Sequence, residues 1–326
     1  MKAWLERRWY GEQVPGWGLR ALAALYGVVA ESRRRRLSRH RPLMPCPIIV
    51  VGNISVGGTG KTPFVIWLVQ RLQQWGFRPG VISRGYGGRS PVYPLRVDGG
   101  TDPALCGDEP LLIALRTGAP VAVAPDRVAA ARLLAEEDAV DVIVTDDGLQ
   151  HYRLPRDMEI CVVDGARGLG NRQLLPAGPL RESSRRLLEV DWVVVNDGRF
   201  ESPSPTLHFS LTGGPAFSLL TEQTRPLSDF SQVHAVAGIG NPERFFTSLE
   251  AEGLSLHRHA FGDHHRYRPD DLAFGDGLPV IMTEKDAVKC RAFADDRLWS
   301  RPVEARLSEA DSERMRQSCL RLLRPQ

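Results

Sequence analysis

The run SVGGTGKTP, Ser55 to Pro63, ends in the residue types that a phosphate-binding loop needs. The usual pattern is G-x-x-x-x-G-K-S/T. Gly60, Lys61 and Thr62 meet its second half, and Ser55 stands where its first glycine would be. Gly57, Gly58 and Gly60 let the backbone N–H groups along Ser55, Val56, Gly57, Gly58, Thr59 and Gly60 wrap phosphate oxygens. Lys61 then reaches the β and γ oxygens, and Thr62 offers its hydroxyl to Mg²⁺. A serine is acceptable at the first position if its backbone stays at negative φ. Such a loop needs an acidic partner for its metal, and TDDGLQH brings Asp146 and Asp147. Adjacent carboxylates on an extended chain point to opposite sides, so one of the two meets the metal, and the sequence leaves open which.

Phosphate binding alone does not separate a motor from a kinase. A kinase must also orient an acceptor hydroxyl and take its proton while positive groups absorb charge on the transferred phosphoryl. Three polar segments offer such groups: SRGYGG with Arg84 and Tyr86, CGDEP with Asp108 and Glu109, and GDHHRYRPDD with Asp263, His264, His265, Arg266 and Arg268. Each also has a plain structural reading, with Arg84 as a turn residue, Asp108 as the cap of a helix beginning near Pro110, and the histidines as solvated or packed groups. Guanine recognition has its own N/T-K-x-D signature. VVVND at Val193 to Asp197 lacks the lysine and TEKD at Thr283 to Asp286 has another order, so ATP is the expected nucleotide.

These groups need a scaffold that brings them to one edge. Ile48 to Val51 is a short β-branched run that suits a buried parallel strand, and TPFVIWLVQRLQQWG, with Pro63 in its first turn and Gly76 at its end, reads as a helix. Val142 to Val144 reads as a second buried strand, which leaves Asp146 and Asp147 at its C-terminal end, where open α/β sheets hold ligands. Further apolar runs in RPGVISRGY, APVAVAPDR, MEICVVD and DWVVVND, with a helix at Ala129 to Glu137, predict a P-loop NTPase-like, doubly wound, mostly parallel sheet over residues 41–203. ESPSP, Glu201 to Pro205, reads as a boundary. Residues 204–326 are expected to form a second, smaller α/β domain that closes with a helix across Ser308 to Leu323.

With 326 residues, 42% hydrophobic and 25% charged, the chain has the makeup of a globular protein with more than one core, and a net charge of +3 makes no case for nucleic acid. The five cysteines are scattered without zinc or pairing spacing, which predicts reduced thiols in a cytoplasmic protein and no structural metal. Basic charge gathers near the start. Leu19, Leu22, Ala23, Tyr26, Val29 and Ala30 recur at helical spacing, and Arg33 to Arg36, Arg39 and Arg41 follow them. The apolar run Ala21 to Ala30 falls far short of the roughly 20 residues of a spanning helix, and arginines that follow the apolar core argue against a signal peptide. Residues 1–40 therefore read as an amphipathic helical segment at a membrane interface, with Trp4, Trp9 and Trp17 as anchors and arginines for anionic headgroups. The other reading is a helix docked on its own domain with a solvated basic end.

Seven motifs in order resemble those of the tetraacyldisaccharide 4'-kinase family, the lipid A 4'-kinases: SVGGTGKTP, SRGYGG, GDEP, TDDGLQH, PAGPLRE at Pro176 to Glu182, DHH with Tyr267 after it, and TEKDAVK. The resemblance spans nearly the whole chain, and the family's loop, similar to S/T-x-G-G-T-G-K-S/T, absorbs the odd Ser55. It implies two α/β domains joined by a short two-stranded link, the second closing over the nucleotide. It implies transfer of the γ-phosphate of ATP, with Mg²⁺, to the 4'-hydroxyl of tetraacyldisaccharide 1-phosphate, giving lipid IVA, by an enzyme peripheral to the cytoplasmic face of the inner membrane. On this sequence the family's P-loop falls on Lys61 and Thr62, its hydroxyl-activating carboxylate and imidazole on Asp108 and His264, and its other polar active-site positions on Asp263, Asp146 and Asp147. Arg84, Tyr86 and Asp263 are the expected acceptor contacts. The expected partners are the lipid substrate and the membrane surface, with no nucleic acid and no protein partner implied. Gly262 precedes DHH where the family often has proline, a change in loop stiffness. Two other classes remain: a P-loop ATPase of the targeting or metal-insertion kind, for which neither a Cys/His metal site nor a second loop lysine is visible, and a non-enzymatic membrane-binding module, which leaves the P-loop idle.

Overall fold

The computed structural model describes residues 2–11 and 14–323. Nine strands form the first sheet, in the edge-to-edge order Val303–Leu307, Thr206–Gly213, Trp192–Asn196, Met158–Asp164, Ile48–Gly52, Val142–Thr145, Pro79–Ser83, Val121–Val123 and Leu95–Val97. All neighbours run parallel except at the two edges, where Val303–Leu307 and Leu95–Val97 are antiparallel. The central strands are buried on both faces, which explains their unbroken apolar sequence. Helices Lys61–Gln74, Asp108–Thr117 and Glu309–Leu323 cover one face, and Arg127–Glu137 covers the other. Ile48–Gly52 lies between Val142–Thr145 and Met158–Asp164. The loop after it therefore opens beside Asp146 and Asp147 at the carboxyl edge of the sheet.

The second sheet has six strands, Thr224–Arg225, Ala216–Ser218, Leu298–Arg301, Val280–Thr283, Gln232–Ala237 and Ser255–Ala260, with helices Pro242–Glu250 and Glu284–Cys290 packed on it. The boundary expected at 203/204 does not coincide with the exchange of hydrogen bonding. Thr206 to Phe209 pair in parallel with Val193 to Asn196, and the chain returns through Val303–Leu307, antiparallel to Phe209 to Gly213. The closing helix buries Met315 and Cys319 in the same cluster as Phe64 and Leu68. Non-local pairing thus assigns 206–213 and 303–307 to the first sheet, and helix Glu309–Leu323 packs against it.

The N-terminal helix Trp17–Ser38 docks one face on its own domain and leaves the opposite face apolar and exposed. Ala23 is buried, Leu19 and Ala30 are half-buried, the Tyr26 hydroxyl donates to the Arg181 carbonyl at 3.0 Å, and Arg34 pairs with Glu189. The other face leaves Trp17 87% and Val28 69% exposed, with Leu22, Leu25 and Val29 beside them. The expected stripe is thereby split, since Leu22 and Val29 point outward. Trp9 is a correction: it is buried, and its indole N–H donates to the Pro176 carbonyl at 3.0 Å, so it is packed and is no surface anchor.

Candidate active site

The P-loop takes its shape from its glycines and from a brace behind it. Gly57 and Gly60 are left-handed, at φ 112° and 85°, whereas Ser55 pairs with Leu180 in a short bridge and the Val56 N–H donates to the Pro179 carbonyl at 2.8 Å. The first position is held as extended backbone against PAGPLRE and needs no glycine. Gly60 does: a Cβ there would lie 2.6 Å from the Asn196 side-chain nitrogen, which donates to the Thr59 carbonyl at 3.2 Å.

Asp146 and Asp147 play different parts. Lys61 Nζ stands 3.6 Å from Asp147 Oδ1, Arg181 donates to Asp147 Oδ2 at 3.0 Å, and the buried Arg127 donates to the Asp147 carbonyl at 3.0 Å. Burial works to raise the Asp147 carboxyl, but Lys61 and Arg181 outweigh it and hold the group at about 2. Asp146 is buried, and neither of its carboxylate oxygens has a hydrogen-bond partner among the described residues. Burial, with the Glu109 charge adding, pushes its carboxyl up to about 7. An orphaned buried carboxylate within reach of the Lys61 charge fits a hydrated divalent cation. Among the described residues no group of three or more His, Cys, Asp or Glu could hold a metal unaided, so such a cation would share its ligands with phosphate oxygens and water.

The second half of the site is assembled across the sheets. Asp108 is the first residue of helix Asp108–Thr117. Its Oδ1 accepts the Glu109 N–H at 2.9 Å, while its Oδ2 lies 3.0 Å from His264 Nδ1. The Oδ1 contact is to the next residue and does not cap the helix, whose N-cap is Gly107 without a side-chain cap bond, so the capping expectation for Asp108 is not met. An Nδ1–H donated to Asp108 leaves the lone pair on Nε2. His264 has a left-handed backbone, φ 60°, and its ring packs on Tyr86 with centroids 4.9 Å apart. Strained backbone of this sort costs about 1 kcal/mol or more and is held by its surroundings. The hydrogen bond with Asp108 raises the imidazole above its ordinary value, against burial and the Lys285 charge. Burial would raise the Asp108 carboxyl, but His264, Lys285 and Lys289 together hold it below the usual carboxylate range. Asp263 Oδ1 lies 3.8 Å from His264 Nε2. Tyr86, Asp108, His264, Arg266, Tyr267 and Lys289 line a cavity of about 190 Å³.

The loop after Gln232–Ala237 spans the two halves: a Cβ on Gly240 would be 3.9 Å from the Gly58 nitrogen and 3.8 Å from Asp263 Oδ2. Arg84 is exposed just past Pro79–Ser83 and does not join the cavity lining, whereas Tyr86 does. Of the two histidines only the first faces Asp108; His265 is 3.1 Å from Asp271 and packs on Phe261 and Tyr267. Residue-type reasoning missed Arg127, Arg181, Lys285, Asp286 and Lys289. Four of these lie inside PAGPLRE and TEKDAVK, motifs to which residue types alone assign no role. Arg127 carried no signal beyond its place after APD.

A family profile described as tetraacyldisaccharide-1-P 4'-kinase matches residues 15–322. The chain belongs to that family. A tetraacyldisaccharide 4'-kinase of Alkalilimnicola ehrlichii is 54% identical over 316 residues, covering 94% of this chain and 95% of that one. Another, of Alcanivorax borkumensis, is 47% identical over 319 residues, covering 97% of each. The solved structure of LpxK from Aquifex aeolicus, an "apo" form in complex with ATP, matches with a TM-score of 0.79 at 26% identity, covering 93% of this chain and 98% of that one. For a member of the tetraacyldisaccharide 4'-kinases, the pairing of a P-loop with an imidazole–carboxylate couple is the arrangement that calls for a chemical account.

Proposed function

We propose that the chain transfers the γ-phosphoryl group of ATP to the 4'-hydroxyl of tetraacyldisaccharide 1-phosphate, giving lipid IVA in lipid A biosynthesis. The observation that carries this reading is the 3.0 Å contact between His264 Nδ1 and Asp108 Oδ2 in a cavity whose Asp263–His264 segment meets the P-loop across the Gly240 turn, an arrangement a motor ATPase does not need. Nε2 takes the proton of the acceptor hydroxyl as its oxygen bonds to the γ-phosphorus, and Asp108 stabilises the resulting imidazolium. The bond from the γ-phosphorus to the β,γ-bridging oxygen breaks and ADP leaves. Lys61 and the backbone N–H groups from Ser55 to Thr62 offset the charge on the phosphates. Mg²⁺, when bound, would add Lewis-acid charge stabilisation, with Asp146 and Thr62 to hold it. Asp147 orients Lys61 and Arg181. Tyr86 and Asp263 flank the acceptor, and Arg84 approaches it from the exposed rim.

The outward apolar face of Trp17–Ser38 supports a peripheral position at a membrane surface, on the cytoplasmic face of the inner membrane. No helix among the described residues is long and apolar enough to cross a membrane. The exposed Arg33, Arg35, Arg36 and Arg39 suit anionic headgroups. The second sheet acts as a smaller body, over 216–301, that closes on the first, and closure brings His264 to Asp108. A transfer assay with γ-labelled ATP tests the activity: label should enter the lipid, and release of label as inorganic phosphate alone would refute the kinase reading.

A further inference from the structure

We propose that Asp286 and Lys289, on helix Glu284–Cys290, form a positioning unit that aims the Asp108–His264 pair at the acceptor hydroxyl by tying both of its members to one buried carboxylate. The inference rests on the reading of His264 as the base. Asp286 is fully buried. Its Oδ1 accepts from Lys289 Nζ at 2.8 Å, and its Oδ2 accepts the Gly238 N–H at 2.8 Å and the Thr283 hydroxyl at 2.6 Å. The Gly238 carbonyl in turn accepts the His264 N–H at 3.3 Å, so the strained histidine backbone hangs from the turn that Asp286 grips. That turn admits no side chain, because a Cβ on Gly238 would meet the Tyr267 hydroxyl at 2.7 Å and Asp286 Oδ1 at 2.8 Å.

The other arm reaches the carboxylate. Lys289 Nζ stands 3.9 Å from Asp108 Oδ2, the oxygen that faces His264, and 5.0 Å from the Tyr267 ring centroid. A buried carboxylate whose protein partners are one N–H and one imidazole is short of countercharge, and Lys289 supplies it. Lys285 also contributes positive charge at Asp108, but its Nζ is engaged by Glu109 at 3.0 Å and lies 3.8 Å from Asp263, so only Lys289 ties Asp108 to Asp286. Those groups, with Arg266, Tyr86, Tyr267, Asp102 and Cys106, are the charged and titratable neighbours of the pair. Removing the Lys289 charge lets the pair take up its proton at higher pH, whichever member carries it.

The test compares Lys289→Gln, which keeps a hydrogen-bond donor for Asp286, with Lys289→Arg, which keeps the charge. Transfer to the lipid acceptor is followed as a function of pH, with ATP affinity measured on the same samples. Lys289→Gln should lower kcat about tenfold or more and move the acid limb of kcat/KM to higher pH, with ATP affinity little changed. Lys289→Arg should restore the limb. A wild-type kcat and limb in Lys289→Gln would overturn the inference, and so would a lowered kcat with an unmoved limb that Lys289→Arg does not rescue. Failure of the wild-type protein to label lipid at all would instead overturn the kinase reading.

Discussion

The nucleotide cradle is one contiguous stretch, Ser55 to Thr62, on one sheet, whereas Asp108 and His264 are 156 residues apart and reach each other only because two sheets meet. A contiguous cradle can bind phosphate whatever the second sheet does. The Asp108–His264 pair exists only when the sheets are apposed, so on the proposed mechanism transfer depends on a contact that nucleotide binding does not need. The apposition is held along helix Asp108–Thr117: Lys285 meets Glu109 at 3.0 Å, Arg116 meets Glu284 at 2.6 Å, and Arg244 pairs with Asp197 from the far side.

Changes in the two regions should separate accordingly. Lys61→Ala should cost the most, about 10³-fold in transfer with weakened ATP binding, because it removes positive charge from the phosphates; single-turnover rates and ATP affinity measure both. His264→Ala should lower kcat by about 10²-fold while ATP affinity stays near wild type. A joint loss of ATP affinity in that variant would merge the two regions into one. The pH profile sharpens the same point. His264 must be neutral at Nε2 to accept a proton, and Asp108 raises its basicity, so kcat/KM should fall as pH drops through a value above that of an ordinary histidine. Asp108→Asn should shift that limb to lower pH.

Smaller effects concern the apposition and the outer surface. Arg116→Met leaves Glu284, which also accepts the Val303 N–H at 3.0 Å, without its cation. It should cost about 1–3 kcal/mol in denaturant unfolding and lower kcat more than ATP affinity. Leu25→Asp with Val28→Asp should weaken sedimentation with anionic vesicles about tenfold or more and leave ATP affinity unchanged. Retained vesicle binding would detach the outward face of Trp17–Ser38 from any lipid role.

The cradle was legible because all of its determinants are local: GKT, the strand before it, and a helix that starts on Lys61 with Pro63 in its first turn. Ser55 showed where legibility stops, since its acceptability comes from the bridge to Leu180, which no neighbouring residue encodes. His264 could be singled out from His265 only through the family motif, because both sit in one polar run and differ in what they face. Lys289 reads as an ordinary helix lysine until Asp108 is brought across from the other sheet. The return of Val303–Leu307 to the first sheet likewise rests on a partner strand nearly a hundred residues earlier in sequence, and composition at ESPSP carries no trace of it. The N-terminal helix docks by one face and leaves another apolar and exposed, a division the sequence does not settle because 3.6-residue periodicity gives a stripe, not its direction.

Single-turnover transfer by His264→Ala at saturating ATP, beside Lys61→Ala, tests the two-sheet site most directly. The account predicts that His264→Ala binds ATP normally yet labels the lipid acceptor at least about 10²-fold more slowly than wild type. Labelling at the wild-type rate, with ATP bound equally well, would contradict it.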